Sequence, residues 1–188
     1  MIAVLAKHTV GVMGSGTTEH DECAALGQLL AELSVNLLTG GGGGVMRAVG
    51  RSFVEHRIDG GISIGVIPCA SETDRLTPMP GYPNEFVELA IYTHLPYSGQ
   101  QGTDDLSRNH INVLSSAAVV ALPGGAGTAS EVILALRYSK PVIAYSRLTS
   151  NVQHFPASVR RVDNIDDVRQ FLLEHVREGR RFPQRGRV

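Results

Sequence analysis

The sequence predicts an α/β protein built on a doubly wound parallel sheet of about six or seven strands. Three observations carry this. Short apolar runs alternate with segments of helical periodicity along nearly the whole chain. The runs are unbroken rather than alternating, as in strands buried on both faces of a parallel sheet. Glycine-rich turns follow the strands, at the carboxyl edge where such sheets bind ligands. With short right-handed crossovers between elements, the expected architecture is Rossmann-like.

The elements follow in order. Thr9 to Met13 (TVGVM) reads as the first strand and runs into Gly14-Ser15-Gly16. His20 to Leu33 reads as a helix, with Cys23, Leu26, Leu30 and Leu33 on one face. Val35 to Thr39 is the second strand, followed by the five-glycine run Gly40 to Gly44, and Val45 to His56 is the second helix. Ile62 to Ile67, closed by Pro68, is the third strand. Phe86 to Tyr92 is the fourth, with Thr93 and His94 at its end. Asp104 to Ser115 reads as a helix with acidic residues in its first turn. Ala117 to Leu122 is the fifth strand, and Thr128 to Ser139 the helix after it. Pro141 to Tyr145 is the sixth strand, Val159 to Val162 a short seventh, and Ile165 to Val176 the last helix. The proline-rich stretch Cys69 to Asn84 reads as a long ordered loop flanking the ligand edge. The tail Arg177 to Val188 carries five arginines and reads as a solvated basic end.

Composition bounds the function. The chain has 188 residues, enough for one domain (residues 1–188) with a full core, and it is 43% apolar with 21 glycines and no tryptophan. A net charge of −1 gives no global field to recruit nucleic acid or a membrane surface. The two cysteines, Cys23 and Cys69, show neither disulfide-framework nor zinc spacing, and no histidine pair has metal-ligand spacing. No apolar run reaches the roughly 18 residues of a membrane helix, and no charged-then-apolar leader opens the chain. A cytoplasmic protein without a metal is expected.

The most informative stretch is Leu122 to Glu131, LPGGAGTASE. It is a glycine-rich turn between a buried strand and a helix, and the helix aims its free N–H groups and positive dipole end at that turn. Gly124, Gly125, Gly127 and Thr128 are candidates to cradle a phosphate. Gly41, Gly42 and Gly43, at the centre of the five-glycine run, are candidates to line the same cleft, because a plain turn needs one or two glycines. Gly14 and Ser15 form a third such turn; GSGTT is not a dinucleotide GxGxxG fingerprint, so at most a mononucleotide contact is expected. Glu131 has two readings. Thr128-Ala129-Ser130-Glu131 fits a capping box, and a carboxylate beside a phosphate cradle also suits chemistry on a nucleotide. Arg108 likewise has two: a surface pair with Asp104 stabilising by only ~0.2–0.5 kcal/mol, or an always-charged fork for a phosphate, the ribose or Glu131. Asn112 lies one turn further along the same face.

The motif PGGxGTxxE resembles the signature of the Lonely-Guy (LOG) family, often labelled lysine decarboxylases. The likeness extends from about Thr9 to Val176 through the glycine run Gly40 to Gly44 and through Ser107-Arg108-Asn109. The combination of Ser107 to Asn112 (SRNHIN) with Ala121 to Glu131 is similar to the subgroup of molybdenum-cofactor carrier proteins. The resemblance implies a purine nucleoside 5′-monophosphate as ligand. It further implies hydrolysis to free base and ribose 5-phosphate, with Glu131 and Arg108 catalytic, no required cofactor, and a homo-oligomer, dimer or tetramer. A carboxylate near C1′ would stabilise the oxocarbenium-like state and orient water. Hydrolytic members carry Lys where Asn109 stands, so the alternative is a non-catalytic carrier of a nucleotide or of molybdopterin, which also bears a phosphate. Lysine decarboxylation fails on chemistry: it normally uses pyridoxal phosphate on a lysine, and Lys7 and Lys140, the only lysines, lie in no glycine-rich turn.

Overall fold

The structure, a computed structural model, describes residues 7–58 and 60–177. Seven strands form one all-parallel sheet: β1 (Thr9–Met13), β2 (Asn36–Thr39), β3 (Ser63–Ile67), β4 (Leu89–Tyr92), β5 (Ala118–Ala121), β6 (Val142–Tyr145) and β7 (Arg160–Val162). Five helices pack on it: α1 (Glu22–Glu32), α2 (Val45–His56), α3 (Asn109–Leu114), α4 (Ala126–Arg137) and α5 (Ile165–Arg177). The strand order is β4-β3-β2-β1-β5-β6-β7. The chain winds outward from β1 to one edge, returns, and winds outward from β5 to the other, giving the doubly wound Rossmann-like arrangement.

The main core lies between the sheet and α1, α2 and α5. Val10, Val12, Val120 and Ile143 of the sheet meet Leu26, Leu30, Val49, Phe53, Phe171 and Leu172. On the opposite face α4 covers β5 and β6 through Val132, while the six-residue α3 covers little of β2 and β3, with Ile111 over Leu38, Ile64 and Val66. Register places Leu89 beside Ile64 and Ile91 beside Val66, so both residues extend that thinly covered face. Leu89 and Ile91 are 46% and 41% exposed, which departs from the expectation of strands buried on both faces.

Several element boundaries also differ. The expected helix over residues 104–115 is regular only from Asn109. The residues before it are held in successive turns, Asp104 N–H donating to Gln101 O (3.0 Å) and Ser107 N–H to Asp104 O (3.0 Å). The fourth strand starts at Leu89 rather than Phe86, because Asn84 draws the chain into a turn: its Oδ1 accepts from Phe86 N (3.0 Å) and its carbonyl from Val87 N (3.2 Å). Finally, α4 begins at Ala126, two residues before Thr128, with Gly125 at its N-cap. The basic stretch 178–188 lies outside the described residues.

Candidate functional site

The winding reverses between β1 and β5, and a doubly wound sheet is open at its carboxyl edge there. The two strands are stitched beyond their ends by Leu122 N–H to Met13 O (2.8 Å) and Ser15 N–H to Pro123 O (3.0 Å). Directly above lies a cavity of about 310 Å³. Its walls come from the loop after β1, the start of the glycine run, Tyr82 of the proline-rich loop, the start of α3 and the first turns of α4.

Part of the lining has the chemistry that an anion would meet. Gly125, Gly127 and Thr128 line the cavity at the N-terminus of the twelve-residue α4, whose first N–H groups have no partner within the helix. Ser15 faces them; its hydroxyl accepts from Thr17 N (3.3 Å) and Thr18 N (3.0 Å), which fixes the loop after β1. Gly14, Gly16 and Thr17 complete this side.

Arg108 and, one turn along α4 from Thr128, Glu131 also line the cavity, and both are buried. Arg108 is not paired with Asp104. Its Nη1 donates to Gly40 O (2.9 Å) and Val66 O (2.7 Å), and its Cζ sits 5.5 Å from the Tyr82 ring centroid. Burial lowers its pKa, opposed by Tyr82 and Glu131. Its Nε has no hydrogen-bond partner. Glu131 is not a capping residue: with α4 starting at Ala126, it stands in the second turn, and its Oε1 accepts from Asn112 Nδ2 (2.7 Å). Burial pushes the carboxyl up to about 7, against the Asn112 hydrogen bond and the Arg108 charge, which pull it down. A carboxyl poised near neutrality in a cavity wall is able to give or take a proton.

The other candidates fall behind the wall. Gly41, Gly42, Gly43 and Gly124 do not line the cavity. Gly41 takes a positive φ of 76° beneath β3, where a side chain would run into Ile67. A side chain on Gly42 would start 2.5 Å from Tyr82 Cζ, one on Gly43 2.9 Å from Gly16 O, and one on Gly124 2.9 Å from Ser15 N. These glycines let neighbouring segments approach one another rather than a ligand. Asn112, fully buried, stands behind the lining and reaches it through its bond to Glu131. His94 lies beyond β4, outside the cavity, bonded to Arg75 O. Sequence reasoning missed Tyr82, Met46, Ser98 and Gly99 as cavity residues. None sits in a motif, and Tyr82 lies in the aperiodic loop. Among the described residues, no group of three or more His, Cys, Asp or Glu is placed to hold a metal ion, and no helix is long and apolar enough to cross a membrane.

A seven-stranded parallel sheet with a cavity lined by glycine-rich turns at its switch point defines a Rossmann-like α/β protein. Residues 7–172 match the SLOG cluster4 family, and the chain belongs to it. It is similar to the molybdenum cofactor binding protein from the phototrophic bacterium Rippkaea orientalis, with 30% identity and a TM-score of 0.64 over 93% of this chain and 98% of that one. The molybdenum cofactor carrier protein from Chlamydomonas reinhardtii is 29% identical, with a TM-score of 0.63 over 89% and 99%. An uncharacterized protein of Archaeoglobus fulgidus is 29% identical over 136 residues, 71% of this chain and 76% of the relative. DNA processing protein A from Helicobacter pylori, described with a single-stranded DNA binding mode, shares the fold at 17% identity with a TM-score of 0.58 over 89% and 81%. The fold therefore lends no support to the expectation that nucleic acid is excluded.

Proposed function

We propose that the cavity binds a phosphate-bearing small ligand, a nucleotide or a pterin cofactor such as molybdopterin, and that the protein acts as its carrier. The observation that carries this is the group formed by Gly125, Gly127 and Thr128 at the N-terminus of α4 with Ser15 beside them in the cavity lining. The likeness to molybdenum-cofactor carriers, at 29–30% identity over most of both chains, supports the carrier reading. So does Asn109, which lines the cavity with a neutral carboxamide where hydrolytic LOG members carry lysine.

A specific observation favours a second reading, hydrolysis of a nucleoside 5′-monophosphate. Glu131 lies in the cavity wall with its carboxyl near 7, held by Asn112 and facing the Arg108 charge. In that reaction water adds to C1′, the N-glycosidic bond breaks, and its electron pair leaves with the base, which takes up a proton. Ionised Glu131 would stabilise the positive charge at C1′ and receive the water's proton. Arg108 serves chiefly as frame, because its Nη1 is committed to two backbone carbonyls.

Incubation with AMP and other nucleoside monophosphates, with chromatography for free base and calorimetry for binding, separates the readings. Binding without base release is the expected result. Base release that disappears in Glu131→Gln establishes the hydrolase instead. If neither nucleotides nor molybdopterin bind, both readings fail. We also propose a homo-oligomer formed through the thinly covered face carrying Leu89 and Ile91.

A further inference from the structure

The cavity has two chemically different ends. The end at Ser15, Gly125 and Thr128 offers hydroxyls and backbone N–H groups. The other is formed where Met46, Gly40, Arg108 and Tyr82 converge. A side chain on Gly40 would start 2.8 Å from Arg108 Nη2 and 2.9 Å from Met46 Sδ, and Arg108 in turn lies against the Tyr82 ring. Met46 is buried and Tyr82 half-buried, and both line the cavity. Beside the Arg108 guanidinium, Met46 and Tyr82 present a thioether and an aromatic ring, surfaces on which a flat ring can pack.

Tyr82 is also held in place before any ligand arrives. Its tip lies over Gly42, where no side chain would fit. Two residues on, Asn84 ties the loop to the glycine run: its Nδ2 donates to Gly42 O (2.7 Å) and its N–H to Gly41 O (2.8 Å). The long glycine run thus serves to seat an aromatic side chain from a distant loop. A ring fixed in this way loses little freedom when a ligand stacks on it.

We propose that Tyr82 is a specificity-determining residue, stacking with Met46 against the heteroaromatic ring of a ligand whose phosphate occupies the α4 end. This rests on the phosphate-ligand reading and adds the ring as the part that is selected. A bare sugar phosphate satisfies one end of the cavity; a nucleotide or a pterin satisfies both.

The test measures Kd by calorimetry for AMP and for ribose 5-phosphate, in a Glu131→Gln background so that turnover does not deplete the ligand. Tyr82→Leu is expected to weaken AMP by roughly tenfold, the scale of one base stacked on one aromatic ring, and to change ribose 5-phosphate by less than about twofold. Tyr82→Phe is expected to restore AMP binding. Equal loss for both ligands, or no loss of AMP in Tyr82→Leu, overturns the role of Tyr82 while leaving the phosphate seat standing. If the unsubstituted chain binds neither AMP, ribose 5-phosphate nor molybdopterin, the functional reading itself fails. Should Tyr82→Leu not fold, competition on the wild-type tyrosine decides: AMP is expected to displace ribose 5-phosphate with at least about tenfold preference, and equal affinity overturns the inference.

Discussion

Replacing Glu131 by Gln removes one titrating group and little else. The glutamine amide oxygen still accepts from Asn112 Nδ2, and the side-chain volume is nearly kept. In the wild type, burial raises the carboxyl from an ordinary 4.5 to about 7. The folded chain therefore retains a proton over a range in which the unfolded chain has released it. The sign follows from proton linkage: a group bound more tightly in the native state stabilises it fully below the unfolded pKa, and that stabilisation is lost as pH rises through the native pKa. At 1.36 kcal/mol per pKa unit, the loss amounts to about 3 kcal/mol between pH ~4.5 and ~7. Glu131→Gln lacks this loss, so its advantage over wild type should grow by about that amount across the window and level off above it. Urea unfolding followed by far-ultraviolet circular dichroism, at intervals from pH 4.5 to 8, reads the difference directly; the chain has no tryptophan to serve as a fluorescent probe. Subtracting the two curves cancels the other titrating groups. Parallel curves would refute the reasoning, because they would mean that Arg108 and Asn112 compensate the buried charge in full.

Two neighbours of Glu131 and one surface residue extend the test. The Asn112 hydrogen bond pulls the Glu131 carboxyl down, so Asn112→Leu should carry the pH-dependent decline beyond pH 7; a curve that levels at the wild-type position would show that the bond does not tune the acid. Arg108→Met leaves Gly40 O and Val66 O without their donor and should destabilise by about 2–6 kcal/mol in urea unfolding at pH 7, on a scale of about 1–3 kcal/mol per unsatisfied buried group. An unchanged midpoint would show that the two carbonyls find other donors. Ile91→Glu places a charge on the exposed apolar face and should shift the species seen in size-exclusion chromatography to a smaller one; an unchanged elution volume argues against association through that face.

Much of the fold was legible because its signals are local. The ends of β1 and α2 coincide with the reading from the apolar run TVGVM and the segment after the five glycines. The apolar runs at residues 117–122 and 141–145 marked β5 and β6 to within a residue at each end. Where a side chain competes with the backbone, periodicity misled: Asn84 shortens β4 at its start, and the turns around Asp104 and Ser107 leave α3 only six residues long. The site was legible in part. The glycine motif led to Gly125, Gly127, Thr128 and Glu131 at the cavity. It did not reveal that Gly42 and Gly124 accommodate protein groups, nor that the helix cap is Gly125. Tyr82 and Met46 were invisible because their shared position arises from long-range packing between a loop and a helix that no spacing encodes.

The stitching of Met13 and Ser15 to Leu122 and Pro123 has a mechanical consequence. These bonds join two successive β–α modules, residues 9–92 and 118–177, along one seam at the middle of the sheet. The proposed ligand would straddle that seam, one oxygen toward Ser15 and another toward Thr128, and would so act as a rivet between the modules. Its binding free energy then becomes cohesion of the whole domain: at a concentration of 100 times Kd it adds about 2.7 kcal/mol to the unfolding free energy. On that proposal the loaded protein would be the sturdier form, and the empty one the easier prey for a protease.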